Sequence, residues 1–380
     1  MNSRDRVMAA LEHEEPDVVP LYEGSIENVA IAEYFGGKPP ANGLRRYMRL
    51  LSRFPGWRRW YSWSMRRTFV IKAGLKRQFD LYRKVGIDLV AVPAAFLLTK
   101  CRFPTWDTYV DELGRQFRVE VFNGVDQLVF VGGMFAGVED YDEWGQPDPF
   151  HPARVKTVRS GLRLAERAGF AAAVGVSGVV EASWEPFGFE RFSRLLYHEP
   201  KFVERLLDER AKFAVECVKL ALDEGAELLL VLDDMGYKGR TFLSPKAMER
   251  LIFPRLKRIV DAAKRGGAKV ILHSCGDITE VFDRLVELGF DAFNPIEPTA
   301  GMDVFELNRR FGDRVTFIGN VSPQLLATGT PEQVVAYSRR LISEIAPGGG
   351  LILASGHSIN PQVKLENYLA MLRVARGGAK

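Results

Sequence analysis

The chain has 380 residues, 47% of them apolar and 26% charged, and its 52 basic and 48 acidic residues leave a net charge of +4. That balance excludes a composition-driven nucleic-acid-binding protein. Three cysteines far apart in sequence, Cys101, Cys217 and Cys275, fit a reducing cytoplasm and not a disulfide framework. The charged N-terminal stretch has no apolar core of the kind a signal peptide needs, and no run of 18 apolar residues occurs; a cytoplasmic location without a membrane partner is therefore expected.

Short apolar runs alternate with amphipathic helical patterns, as in βα units around a parallel sheet. A helical N-terminus leads to a first strand at 17–22 (DVVPLY). A basic region from Arg45 to Arg83 follows, with Arg58-Arg59, Arg66-Arg67 and Lys76-Arg77 beside Trp57, Trp60 and Trp63. It reads as amphipathic helices with a solvated basic face, or as a lid or docking surface for an anionic substrate or an acidic partner domain. The second strand is 88–92. Residues 116–130 alternate and break at Asn123-Gly124, the pattern of a hairpin laid over the rest. Helices at 152–168, 200–224, 245–266, 278–288, 303–311 and 331–345 then precede strands at 171–176, 227–232, 269–272, 291–294, 315–318 and 351–354, and a helix at 365–375 closes the chain. Eight strands make one domain over residues 1–380: a single α/β unit, a (β/α)8 TIM barrel with an N-terminal helical extension and an inserted β-hairpin.

Five consecutive strands end in polar residues, which such a barrel gathers at one mouth. Asp233 and Asp234 follow the fourth strand, where one carboxylate faces the mouth and the other caps a loop. His273-Ser274-Cys275 follow the fifth. An imidazole and a thiolate two residues apart on an extended segment point to one side and can share a Zn²⁺. His357, after the eighth strand, falls at a rim position read as adjacent to His273, so that His273, Cys275 and His357 form a three-ligand zinc site with one open position. Without metal, His357 is a general acid/base, and Asp233 or Asp234 a base or an orienting carboxylate. Glu23, Glu181, Tyr237, Arg240, Asn294, Glu297 and Asn320 are candidates for substrate binding. Cys101, Cys217, His13 and His198 read as structural or surface residues.

The runs RDRVMAALEHEEPDVVP (4–20), LDDMGYKGRTFLSP (232–245), VILHSCGDI (270–278), FIGNVSP (317–323) and SGHSINPQVKLEN (355–367) resemble the uroporphyrinogen decarboxylase superfamily, most closely its corrinoid-dependent methyltransferase branch of the methylcobamide:coenzyme M type. That resemblance implies a His-x-Cys motif and a distant Cys holding zinc; His273 and Cys275 match the motif, and His357 stands where the distant Cys falls. It also implies a homodimer. The arginine-rich MRQAGR-type segment of true uroporphyrinogen decarboxylases is here Leu21-Tyr22-Glu23-Gly24-Ser25-Ile26, without arginine.

The expected function is zinc-dependent transfer of a methyl group between a corrinoid and a thiol, methoxy or methylamine-type substrate. No corrinoid-binding motif of the DxHxxG type occurs, so the corrinoid is expected on a partner protein. The alternatives are a metal-independent decarboxylase, with Asp233 or Asp234 and His357 handling the proton, and a non-catalytic barrel that binds a corrinoid or tetrapyrrole.

Overall fold

The structure is a computed structural model describing residues 1–39, 43–65 and 68–377; the basic pair Arg66-Arg67 lies outside the described residues. In chain order the strands are β1 (Leu89–Pro93), β2 (Thr108–Val110), β3 (Arg115–Phe122), β4 (Val125–Gly133), β5 (Ala171–Ser177), β6 (Leu228–Leu232), β7 (Gly236–Tyr237), β8 (Arg240–Thr241), β9 (Lys269–His273), β10 (Ala292–Asn294), β11 (Thr316–Val321) and β12 (Leu351–Ser355). Seven of them form a curled parallel sheet in the order β1-β5-β6-β9-β10-β11-β12. The ring closes through the segment expected to be the first strand. There only Leu21 and Tyr22 pair, Leu21 bridging Leu353 of β12 and Tyr22 bridging Leu89 of β1. Pro20, inside that segment, lacks an N–H to donate, which limits ladder formation.

Alternation along each strand divides the apolar residues between two layers. Tyr22, Leu89, Leu230, Ile271, Ile318 and Ile352 face the barrel axis, and Val7, Ala10 and Leu11 of the helix Ser3–Leu11 join them from below. The helix is tied to the barrel floor by the Ala10 carbonyl, which accepts from Gly350 N–H at 3.0 Å and from the Thr316 hydroxyl at 2.8 Å. Side chains on the alternate positions, such as Val90, Val92, Leu229, Val231, Leu272 and Phe317, pack outward against the ring of helices. Each such residue, fully buried, contributes about 1.5–3 kcal/mol.

The helices Pro152–Ala168, Pro331–Ile345 and Leu365–Ala375 have the expected bounds. The single helix expected over 245–266 is two, Pro245–Leu251 and Phe253–Arg265, because Pro254 has no N–H for the turn before it. The expected hairpin is β3–β4, turned at Asn123 (φ 48°) and Gly124 (φ 79°), a left-handed pair that suits a two-residue hairpin loop. It gains a third antiparallel strand, β2, which sequence patterning missed.

Among the ties between this small sheet and the barrel is a fully buried ion pair, Arg154 to Glu112 at 2.7 Å, both side chains at 0% exposure. Glu112 lies between β2 and β3, and its carboxylate also accepts from Leu97 N–H at 3.1 Å and contacts the Thr99 hydroxyl. Glu112→Ala would leave Arg154 buried and uncompensated, so we expect a loss of about 3–5 kcal/mol in denaturant unfolding. A change below about 1 kcal/mol would show that the pair is not such a tie.

Candidate active site

Strands β6 and β9 are parallel neighbours, with Leu232 opposite His273. Two residues beyond each lies the next side chain on the same face, so Asp234 meets Cys275 across the rim. Asp233 points the other way. It is fully buried, and its carboxylate accepts backbone N–H bonds from Val179 (2.9 Å), Val180 (2.8 Å) and Glu181 (2.9 Å). Burial pushes its pKa up to about 7 against the pull of those three donors. Gly178 makes room for it, since a β-carbon there would lie 2.1 Å from that of Asp233. Asp233 is thus the loop-capping member of the pair and holds Glu181 in place.

Asp234, His273 and Cys275 each turn one donor atom toward a common point, all within 4.8 Å of one another. Cys275 Sγ is 3.6 Å from His273 Nε2, and Nε2 is 3.8 Å from Asp234 Oδ1. A tetrahedral Zn²⁺ with bonds of about 2.0 and 2.3 Å separates its nitrogen and sulfur ligands by about 3.6 Å, so the His273–Cys275 pair already stands near ligand spacing. The imidazole is also oriented for it. Its Nδ1 lies 2.6 Å from Asn294 Oδ1, and Asn294 is fixed in that orientation by its Nδ2, which donates to Ile318 O at 3.0 Å. Nδ1 therefore donates to Asn294, which leaves Nε2 as the ring nitrogen available to the cluster. Cys275 N–H donates to Asp234 Oδ1 at 2.7 Å, and Gly276 N–H to Glu297 Oε2 at 2.9 Å, which sets the loop carrying the thiol. Gly276 is required there: φ is +82°, and a β-carbon would meet Gly236 at 2.1 Å.

The surroundings are acidic. Burial, then the carboxylates of Asp234, Glu297 and Glu181, push the Cys275 thiol far above its ordinary range. Burial, Asp234 and Glu185 likewise push Glu181 well up. The nearby guanidinium of Arg115 is buried and held by carboxylates: Asp111 at 2.7 Å, Glu185 at 2.8 Å and Glu181 at 3.2 Å. A thiol so placed becomes a thiolate only beside a cation. The donor set and its setting fit a borderline-soft divalent metal.

His357 is not among these donors. Strands β9 and β12 are separated by β10 and β11 and are not adjacent as expected. Beyond β12 the chain is tied back at Gly356, whose N–H donates to Val321 O at 2.7 Å, and the exposed His357 ring has Nδ1 3.0 Å from Ser358 Oγ. The place assigned to it is taken by Asp234. Asn294 lies behind His273 and does not face a substrate. Asn320 is likewise engaged by the protein: it is buried, donates to Ile296 O, and accepts from the Tyr337 hydroxyl at 2.6 Å. Glu297 accepts from Gly276 N–H and from the Thr299 hydroxyl at 2.6 Å. Tyr237 and Arg240 are exposed on the β7–β8 flap, with the Tyr237 ring stacked on Phe242. Sequence patterning missed Arg115, which looks like any basic residue in an alternating strand.

Glu23 is buried beside the end of β12, where Ser355 Oγ lies 2.5 Å from Glu23 Oε2 and also contacts the His357 carbonyl. One hydroxyl proton cannot serve both acceptors. A neutral Glu23 donates to Ser355, which in turn donates to His357 O.

The sequence model of a family described as Uroporphyrinogen decarboxylase (URO-D) matches residues 129–377. The chain is 27% identical over 251 residues to the uroporphyrinogen decarboxylase of Thioalkalivibrio sulfidiphilus, covering 62% of this chain and 68% of the relative. It is 29% identical over 191 residues to the chloroplastic uroporphyrinogen decarboxylase of Nicotiana tabacum, covering 50% of this chain and 46% of the relative. The fold is similar to that of a methyltransferase from Methanosarcina mazei, with a TM-score of 0.67 at 16% identity over 99% of both chains.

The Glu23 arrangement has a measurable consequence. Burial raises its pKa from the ordinary 4.5 to about 8, so between those values the folded state holds a proton that the unfolded state has lost. Its contribution to stability therefore falls as pH rises from about 4.5 to about 8 and is level above. Glu23→Gln removes that slope. Relative to the parent, the variant is expected to gain stability between pH 5 and pH 9, by up to roughly 4 kcal/mol. Parallel pH profiles for the two proteins would show that Glu23 is ionised in the fold.

Proposed function

The chain belongs to the uroporphyrinogen decarboxylase family, and from that premise we propose that it is a zinc-dependent methyltransferase acting between a small methyl-bearing or methyl-accepting substrate and a corrinoid carried by a partner protein. The observation that carries this reading is the convergence of Asp234, His273 and Cys275 at the barrel mouth, their donor atoms within 4.8 Å of one another and the His273–Cys275 pair at zinc-ligand spacing. When bound there, Zn²⁺ supplies a Lewis acid with an open position, which lowers the pKa of a coordinated thiol or polarises a methylated heteroatom.

The chain's own residues prepare that position. Asn294 fixes the His273 tautomer, and the Cys275 and Gly276 amides lock the carboxylates of Asp234 and Glu297 against the loop. A thiolate from Cys275 and a carboxylate from Asp234 would together balance the charge of a divalent metal held there. His357, exposed on the rim, is not a ligand in this reading. The names of the curated relatives favour decarboxylation instead. Against that stands the mouth itself: Glu181 and Glu297 add their carboxylates to that of Asp234 around Cys275, and Arg115 is already held by three carboxylates. A carboxylate-rich substrate finds little there to balance its charge.

Elemental analysis of purified protein should give about one zinc per chain. His273→Ala, Cys275→Ser and Asp234→Asn should each weaken zinc binding at least tenfold, whereas His357→Ala should retain it. Zinc lost on His357→Ala but kept on Asp234→Asn would restore the ligand set expected from sequence. Full decarboxylase turnover by metal-free protein would replace the proposal altogether.

A further inference from the structure

A second feature of the molecule is unrelated to the metal cluster. From Tyr34 to Phe79 the sequence carries twelve Lys and Arg residues and no Asp or Glu, leaving 40 basic and 48 acidic residues in the rest of the chain. The near-neutral total therefore conceals one strongly cationic stretch in an otherwise acidic sequence. Two helices of this stretch, Leu44–Leu51 and Trp57–Met65, rest on a small apolar core of their own. Met48 and Tyr61 meet Val119 of the three-stranded sheet and Phe103 of the segment before it. The seat is fastened by Arg45, which donates to Val119 O at 3.1 Å, and by Arg58, which donates to Phe103 O at 2.8 Å.

The outward side is unusual in its chemistry. Tyr47, Leu50, Phe54, Trp60 and Trp63 are 44, 54, 59, 64 and 47% exposed. Arg46, Arg49, Arg53 and Arg59 lie exposed among them, and among the described residues none of the four has an acidic partner. Protruding aromatic rings with unneutralised cations are costly to leave in water and imply a cover. A second copy of this chain is a poor cover, since two such faces would meet with like charge. The cover must be anionic over a broad area while admitting aromatic rings between its charges. A sheet of acidic headgroups above an acyl layer does both: it supplies negative charge without matched carboxylates, and its interface takes up Trp, Phe and Leu side chains.

We propose that the face formed by the helices Leu44–Leu51 and Trp57–Met65 binds an anionic lipid surface, making this a peripheral membrane protein. The attachment is superficial, since no described helix is long and apolar enough to cross a bilayer. It departs from the expectation, drawn from the lack of a spanning segment, of no membrane partner. It is also independent of the metal reading.

Co-sedimentation of the full-length protein with phosphatidylcholine vesicles, with and without phosphatidylglycerol, tests the proposal. Binding is expected only with the anionic lipid and should weaken as salt is raised. The triple variant Arg46→Glu, Arg49→Glu, Arg53→Glu should lower the partition constant at least about 100-fold. Phe54→Ser with Trp60→Ser should lower it while leaving the salt dependence intact. All five positions are exposed, and an unchanged thermal melt verifies that the variants fold. Absence of binding to anionic vesicles at low salt overturns the proposal and leaves the face to an acidic protein. Binding that survives both sets of substitutions also overturns it, by placing lipid contact elsewhere.

Discussion

The candidate site depends on a single register. Strands β6 and β9 run parallel with Leu232 opposite His273, and a pleated strand repeats its facing every two residues. The side chains two positions beyond each strand end must then meet, which brings the Asp234 carboxylate to the Cys275 amide and into the company of the His273 ring. A slip of one residue would send Asp234 toward the loop that Asp233 now holds and leave the His-x-Cys pair without its carboxylate. The all-apolar strand β6 and its neighbours on both sides protect this register, because such a slip would also exchange the two buried layers of the barrel.

Around that contact, hydrogen bonding separates groups that hold from groups that act. Asp233, Asn294, Glu297 and Asn320 all have their polar atoms engaged by backbone or by other side chains. They resemble ligands in the sequence because they are polar residues at strand ends, yet a closed barrel needs such residues to satisfy the backbone where strands stop and loops begin. Asp234 and His273 are each also held by one hydrogen bond, but with Cys275 they keep donor atoms within 4.8 Å of one another. The electrostatics agree with that division. Burial and neighbouring carboxylates disfavour a free thiolate at Cys275, and a divalent cation held there would offset that cost.

The barrel was legible because alternation of apolar runs and helical patterns is a local property, and seven of the eight strands lie where that pattern puts them. The Leu21–Tyr22 segment shows the limit. Its apolar residues marked the place, but the length of its pairing is decided by neighbours remote in sequence and by Pro20. The Pro245–Leu251 and Phe253–Arg265 break was likewise written in Pro254 and passed over, because amphipathic periodicity continues across it.

Sequence alone determined the fold, the mouth and two of the three converging donors, since the i, i+2 relation of His273 and Cys275 is intrinsic to an extended chain. It also held the clue to the third: consecutive βα units are neighbours in a barrel, so residues after the fourth and fifth strands meet more readily than those after the fifth and eighth. Only the tertiary structure decided between Asp234 and His357, and between Asp233 and Asp234. Those choices turn on which strand lies beside which, and on which carboxylate is taken up by backbone N–H groups some fifty residues away in the chain.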